Sequence, residues 1–201
     1  MVVFALLTGA TGAFGQTLYW DTNGATAGTG ANPAGTWSTG VANWSANSAG
    51  TSGTIVNWTN WSAAVFSAGT NGTGSYTVTV SGTVGISSLT IEEGSPTFTG
   101  GTIQFSGTPD FFMASGSTAT INSVVDDQYY GGINKTGTGN LVLGGSNTFQ
   151  APVTVSAGTL TLSSNLALGA TGTYGNTVAT GATLAFQGGI AVAEANVGLS
   201  G

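Results

Sequence analysis

Residues 135–164, Lys-Thr-Gly-Thr-Gly-Asn-Leu-Val-Leu-Gly-Gly-Ser-Asn-Thr-Phe-Gln-Ala-Pro-Val-Thr-Val-Ser-Ala-Gly-Thr-Leu-Thr-Leu-Ser-Ser, contain short runs in which apolar and polar residues alternate. The apolar members are Leu141/Leu143, Val153/Val155 and Leu160/Leu162. A period of two puts successive side chains on opposite faces, so each run predicts a strand with one buried and one wet face. Between the runs lie Gly144-Gly145-Ser146-Asn147 and Ser156-Ala157-Gly158, residues that tolerate tight or left-handed backbone. Strand, corner, strand, corner, strand is one coil of a β-solenoid. The corner at Gly158 is so short that it predicts a backbone a β-branched residue would resist.

These residues carry a family resemblance. The stretch resembles the passenger-associated transport repeat of bacterial autotransporters, also called the autotransporter-associated β-strand repeat. That pattern runs Lys-x-Gly-x-Gly-x-Leu-x-Leu-x-Gly-x-Asn-Thr-aromatic, then Thr-x-Val-x-x-Gly-Thr-Leu. Matching positions are Lys135, Gly137, Gly139, Leu141, Leu143, Gly145, Asn147, Thr148, Phe149, Val155, Gly158, Thr159 and Leu160. Departures are Asn140 for Thr, Phe149 for Tyr, Ala151 for Gly and Val153 for Thr, none of which breaks the alternation. The resemblance implies a right-handed parallel β-helix of a secreted or outer-membrane surface protein in a Gram-negative bacterium. It implies no catalytic residue.

Composition narrows the function classes. Only 4% of the 201 residues are charged, with a single basic side chain and a net charge of −6. That excludes the electrostatic footprint of nucleic-acid binding and a polybasic membrane patch. The 35 Gly could suggest disorder, but 40% hydrophobic content and five Trp predict a packed core of many short strands with tight corners. There is no Cys and no His, so disulfides, His-ligated zinc and Ser-His-Asp chemistry are absent.

Moving outward to the N-terminus, residues 1–15 read as the back half of a signal peptide. Val2-Val3-Phe4-Ala5-Leu6-Leu7 is a short apolar run, and Ala13 and Gly15 fit a small-residue cleavage rule that leaves Gln16 first. The basic segment that should precede it is missing, which predicts a start further upstream; the alternative is a buried first strand. The run is too short to span a bilayer, and no other transmembrane span is predicted. Residues 16–74 hold all five Trp: Trp20, Trp37, Trp44, Trp58 and Trp61. This section resembles the segment preceding the repeats in large secreted bacterial proteins of the same group. The expectation is an N-terminal cap over the open end of the core. A sugar-stacking platform with Trp44, Trp58 and Trp61 as glycan contacts is the competing reading.

Residues 75–201 read as the solenoid. Tyr76–Val80, Leu89–Ile91, Thr97–Thr99, Thr102–Phe105 and Ala119–Ile121 alternate before the motif coil, and 176–178, 182–186 and 190–192 alternate after it. Val80, Ile91, Ile103, Leu141, Leu143, Val155, Leu160, Leu162, Leu184 and Phe186 are expected to point inward. Residues 108–132 read as a less regular excursion, and the Ala-rich stretch 191–197 as a weak helical candidate. The spacing between Gly158-Thr-Leu and Ala182-Thr-Leu fits one three-strand coil.

The polar constellations point away from catalysis. Glu92-Glu93 and Asp126-Asp127 are adjacent pairs, which in a strand face opposite ways. Asp126-Asp127-Gln128 offers oxygens to Ca²⁺, but six to eight are needed and no EF-hand spacing is present; solvated loop acids are the expectation. β-Helix lyases lean on basic side chains, and only Lys135 exists, expected to pair at the surface with an acid of a neighbouring coil. The Asn-Trp-Ser/Thr triplets match a glycosylation pattern that is inert in a bacterium. Thr-x-Thr at 77/79, 97/99, 118/120 and 159/161 is spaced too unevenly to predict a flat lattice.

The sequence therefore predicts an all-β, right-handed parallel β-helix with a Trp-rich N-terminal cap and no cofactor. The expected role is a non-enzymatic passenger scaffold for adhesion or extracellular matrix structure. The alternative is a carbohydrate-binding or polysaccharide-degrading β-helix. Surface glycans, or self-association through open solenoid ends, are the expected partners, and the chain is expected to continue beyond residue 201.

Overall fold

The computed structural model describes residues 15–170, 175–192 and 197–199. The N-terminal section contains β1 (Thr17–Trp20), β2 (Gly35–Trp37), β3 (Ala42–Ser45), β4 (Val56–Asn57) and β5 (Ser62–Phe66). Then come β6 (Ser75–Val80), β7 (Thr83–Ile91), β8 (Ser95–Thr99), β9 (Thr102–Phe105) and β10 (Asp110–Met113). They are followed by β11 (Thr118–Ile121), β12 (Val124–Asp127), β13 (Ile133–Thr136), β14 (Asn140–Leu143) and β15 (Val153–Val155). The last are β16 (Thr159–Leu162), β17 (Asn176–Val178), β18 (Thr183–Phe186) and β19 (Val197–Leu199). Most are short because the alternating runs are short and a turn-forming residue closes them; β7, with nine residues, continues from one face onto the next.

The strands wind into a three-sided parallel solenoid. One sheet runs β19-β17-β15-β13-β10-β7-β5-β1, and a second runs β18-β16-β14-β11-β8-β6-β2. A third face is built by the first half of β7 with β9 and β12, and Thr148 N extends it by donating to Val125 O at 3.0 Å. From β6 onward, register partners on successive coils lie 19 to 24 residues apart. The pairing Leu160↔Leu184 confirms the coil length read from the two Thr-Leu repeats. The N-terminal edge of the first sheet is different. There β3 pairs antiparallel with β1, and β4 antiparallel with β3. The parallel ladder itself crosses residue 75 without a break, since β5 pairs with both β1 and β7.

Stacking produces continuous apolar columns. Leu18, Ala64, Leu89, Phe111, Lys135, Val155 and Val178 follow one another in register on the first sheet, and all are buried. Phe98, Ile121, Leu143 and Leu162 do the same on the second. Of the residues expected inward, Leu184 is half-buried and Phe186 is 62% exposed. Phe186 lies in the Leu162 column, but β18 pairs only with β16, so no described strand covers its ring.

The stretch 108–132 is no excursion. It holds the regular coil β10–β11–β12, with Phe111 and Met113 buried and Asp110 and Phe112 outward. The adjacent Phe111-Phe112 pair and the acids at 126–127 hide the period of two. Ala191–Val192 carries no helix, residues 193–196 lie outside the described residues, and 197–199 form β19. The signal-peptide reading of residues 1–14 also lies outside them. Among the described residues no helix is long and apolar enough to cross a membrane.

Candidate functional site

The aromatic cluster sits under the antiparallel edge. Trp20, Trp37, Trp44 and Trp58 converge with Phe66, their rings 4.6–5.5 Å apart. Trp20 Nε1 donates to Pro33 O at 2.6 Å, and Trp58 Nε1 to Gly85 O at 3.2 Å. The indole N–H groups of Trp37 and Trp44 are buried without a hydrogen-bond acceptor. Trp44 is 0% and Trp58 2% exposed, so neither presents the free ring face expected of a glycan contact. The cause is local pairing: Trp44 stands opposite Trp20 in the β1–β3 pair, and both turn toward the core. Trp61 is half-buried with φ 70°, and its indole rests against Gly85, where an added Cβ would come within 3.1 Å of the ring.

In the motif coil the residues that carry the resemblance are structural parts. Lys135 is not at the surface paired with an acid; it is 0% exposed and occupies an inward position between Phe111 and Val155. Its Nζ donates to Thr136 O (2.9 Å), Gly137 O (2.9 Å) and Ala157 O (3.0 Å). The extended stem packs in the core while the ammonium reaches a corner whose carbonyls have turned inward. Burial lowers its pKa to about 8. Those carbonyls converge because the glycine corners of successive coils nest. Gly158 (φ 67°) approaches so closely that a Cβ there would lie 2.5 Å from Gly137 O and 2.6 Å from Gly139 O. Gly137 (φ 71°) nests in the same way on Met113.

Asn147 is buried and bridges three coils. Its Oδ1 accepts from Val125 N (2.9 Å) and its Nδ2 donates to Ala167 O (2.7 Å). Thr148 faces outward and its Oγ1 donates to Asp126 Oδ1 at 2.6 Å, while Phe149 is buried next to Phe105. Leu141, Leu143, Val155 and Leu160 fill the apolar columns. Asn140, the departure from the family's Thr, accepts from Thr161 Oγ1 on the next coil at 3.0 Å. Asn176, which sequence reasoning passed over, repeats the Asn147 device by accepting from Val153 N at 2.8 Å. Its only sequence signal is an Asn beside an alternating run.

The acids do not converge. Glu92-Glu93 lies at the corner between β7 and β8, Asp126-Asp127 at the end of β12 on a different corner. Glu93 Oε1 accepts from Ser67 Oγ (3.1 Å) and Gly72 N (2.7 Å). Burial and then the Glu93 charge raise the pKa of Glu92, and the same two causes push the Tyr76 hydroxyl well up. Asp126 also accepts from Gln104 Nε2 at 3.1 Å, and Asp127 Oδ1 from Gln150 N at 3.1 Å. Among the described residues no three acids group as metal ligands. The threonines are better ordered than their spacing suggests: Thr77, Thr97 and Thr120 stand in register, because corners of unequal length absorb the uneven intervals.

The described residues thus form a three-sided parallel β-helix with nested glycine corners, an inward Lys and an antiparallel aromatic edge. Residues 133–162 match the Passenger-associated-transport-repeat family. Over 155 residues, 76% of this chain, the sequence is 38% identical to the Adhesin BmaC autotransporter of Brucella suis biovar 1 (strain 1330). The chain spans only 4% of that protein's length. No solved structure matches the chain. The chain thus carries the passenger-associated transport repeat and, over three quarters of its length, a sequence similar to an autotransporter adhesin.

Proposed function

We propose that the chain is a non-enzymatic scaffold segment of a passenger carried outside a Gram-negative cell, where it serves adhesion. The observation that carries this reading is the placement of Lys135. The only basic side chain, which a lyase would need at its substrate, is enclosed by backbone carbonyls. The relative's name, an adhesin autotransporter, supports the same role. In this reading residues 16–74 cap the solenoid formed by 75–201. The antiparallel β3 and β4 cover the edge of the parallel sheet, and the Trp cluster fills the end of its core.

The test is surface display. The chain, fused to a translocator barrel on an otherwise non-adherent bacterium, should increase attachment to host cells or to a coated matrix. It should release no fragments from polysaccharides. Unchanged attachment, or turnover of a polysaccharide, would overturn the proposal.

A further inference from the structure

We propose that the corner following β12 is a binding site for a neutral sugar ring, a site that gives the adhesive reading above a ligand class and rests on it. Asp126, Asp127, Gln128 and Tyr130 of one coil and Thr148 and Gln150 of the next enclose a groove of about 180 Å³. Its size is below the roughly 300–1,000 Å³ of drug-sized sites and suits a single small ring at the end of a chain.

The lining supplies what a pyranose needs. Tyr130 is 77% exposed, a large flat ring held in water beside the groove, with Tyr129 exposed next to it. Sugar rings present C–H faces that pack on such a ring, while its hydroxyl stays wet. The remaining walls are carboxylate, amide and hydroxyl groups, which accept from and donate to sugar hydroxyls. Their positions are fixed from neighbouring coils: Asp126 takes hydrogen bonds from Thr148 Oγ1 (2.6 Å) and Gln104 Nε2 (3.1 Å), and Asp127 Oδ1 from Gln150 N (3.1 Å). Asp127 Oδ2 is buried and takes no hydrogen bond, so Asp127 shapes the wall of the groove rather than reaching into it.

The ligand's charge follows from the lining. Two carboxylates with no basic group disfavour phosphate, sulfate and uronate. A hard cation is disfavoured too, since both Asp126 oxygens already accept from protein donors and no third acid groups with the pair among the described residues. Tyr130 also holds φ at 36°, where a bulky residue is strained and glycine is at ease. Folding alone would favour glycine there.

The experiment is saturation-transfer NMR on the whole chain with the methyl glycosides of glucose, galactose and mannose, and Ca²⁺ alone as the competing probe. At least one glycoside should bind, Tyr130→Phe should keep that binding, and Tyr130→Gly should weaken it at least tenfold while melting no lower than wild type. Binding of no glycoside, binding of Ca²⁺ only, or equal binding by Tyr130→Gly would overturn the inference. Adherence of displaying cells without glycoside binding overturns this site alone. Glycoside binding without adherence overturns the adhesive reading alone.

Discussion

Lys135 Nζ and the carbonyl of Ala157 on the next coil are joined by a hydrogen bond of 3.0 Å inside the solenoid. The motif's Lys is thus a tie between coils. Lys135→Met keeps the apolar stem but leaves the carbonyls of Thr136, Gly137 and Ala157 without their donor. Nested glycine corners leave little room for another donor, so the variant should lose about 1–3 kcal/mol at neutral pH in denaturant unfolding.

The same residue sets a pH dependence. Burial lowers the Lys135 pKa from 10.5 to about 8. Below that lower value both states hold the proton, and the cost of burying the charge is fully present. Between the two values the unfolded chain binds more protons than the folded one, so stability rises with pH. The wild type should gain on the order of 1–3 kcal/mol over Lys135→Met across that window. A difference between the two proteins that stays flat with pH would contradict it.

Leu143 lies between Ile121 and Leu162 in a buried column. Leu143→Ala should cost about 2–5 kcal/mol through lost transfer energy and the cavity left behind. Chemical denaturation with an unchanged m-value checks this.

Gly158→Val should melt well below Thr120→Val. The first forces a β-branched residue to φ 67° and onto the Gly137 and Gly139 carbonyls. The second changes a half-buried outward residue of β11 into another strand former. Equal melting temperatures would show that the Gly158 corner can relax.

In isolation the chain should self-associate. Phe186 and Leu199 are exposed on β18 and β19, each paired on one side only among the described strands. Such edges template pairing with another chain. Sedimentation should show association at high concentration, reduced by Phe186→Lys.

Much of this was legible because a period of two survives in Leu141/Leu143, Val153/Val155 and Leu160/Leu162, and glycines punctuate it. The coil at 110–127 was not, since Phe112 faces out beside an inward Phe111. Lys135 misled because charge ordinarily predicts exposure, and only the stacked corner carbonyls make its burial tolerable. Trp44 and Trp58 left the cap and the glycan platform both open: an aromatic cluster reads the same whether it faces a sugar or its own core. The groove after β12 joins Tyr130 to Gln150 across coils, a juxtaposition that register alone creates.

Engineered cross-linking tests the parallel solenoid most directly, because the chain contains no Cys. Thr154 and Thr177 are register partners whose hydroxyls are 3.2 Å apart, and Thr97 and Thr120 are partners on the second sheet. Parallel neighbours stand roughly 4.8 Å apart, within reach of a disulfide. Two double variants, Thr154→Cys with Thr177→Cys and Thr97→Cys with Thr120→Cys, are oxidised in dilute solution. Each should close an intramolecular disulfide, read as a mass loss of about two daltons. A control that combines Thr97→Cys with Thr154→Cys, on different sheets, should stay reduced. Closure of that control, or failure of both register pairs, would contradict the parallel coil.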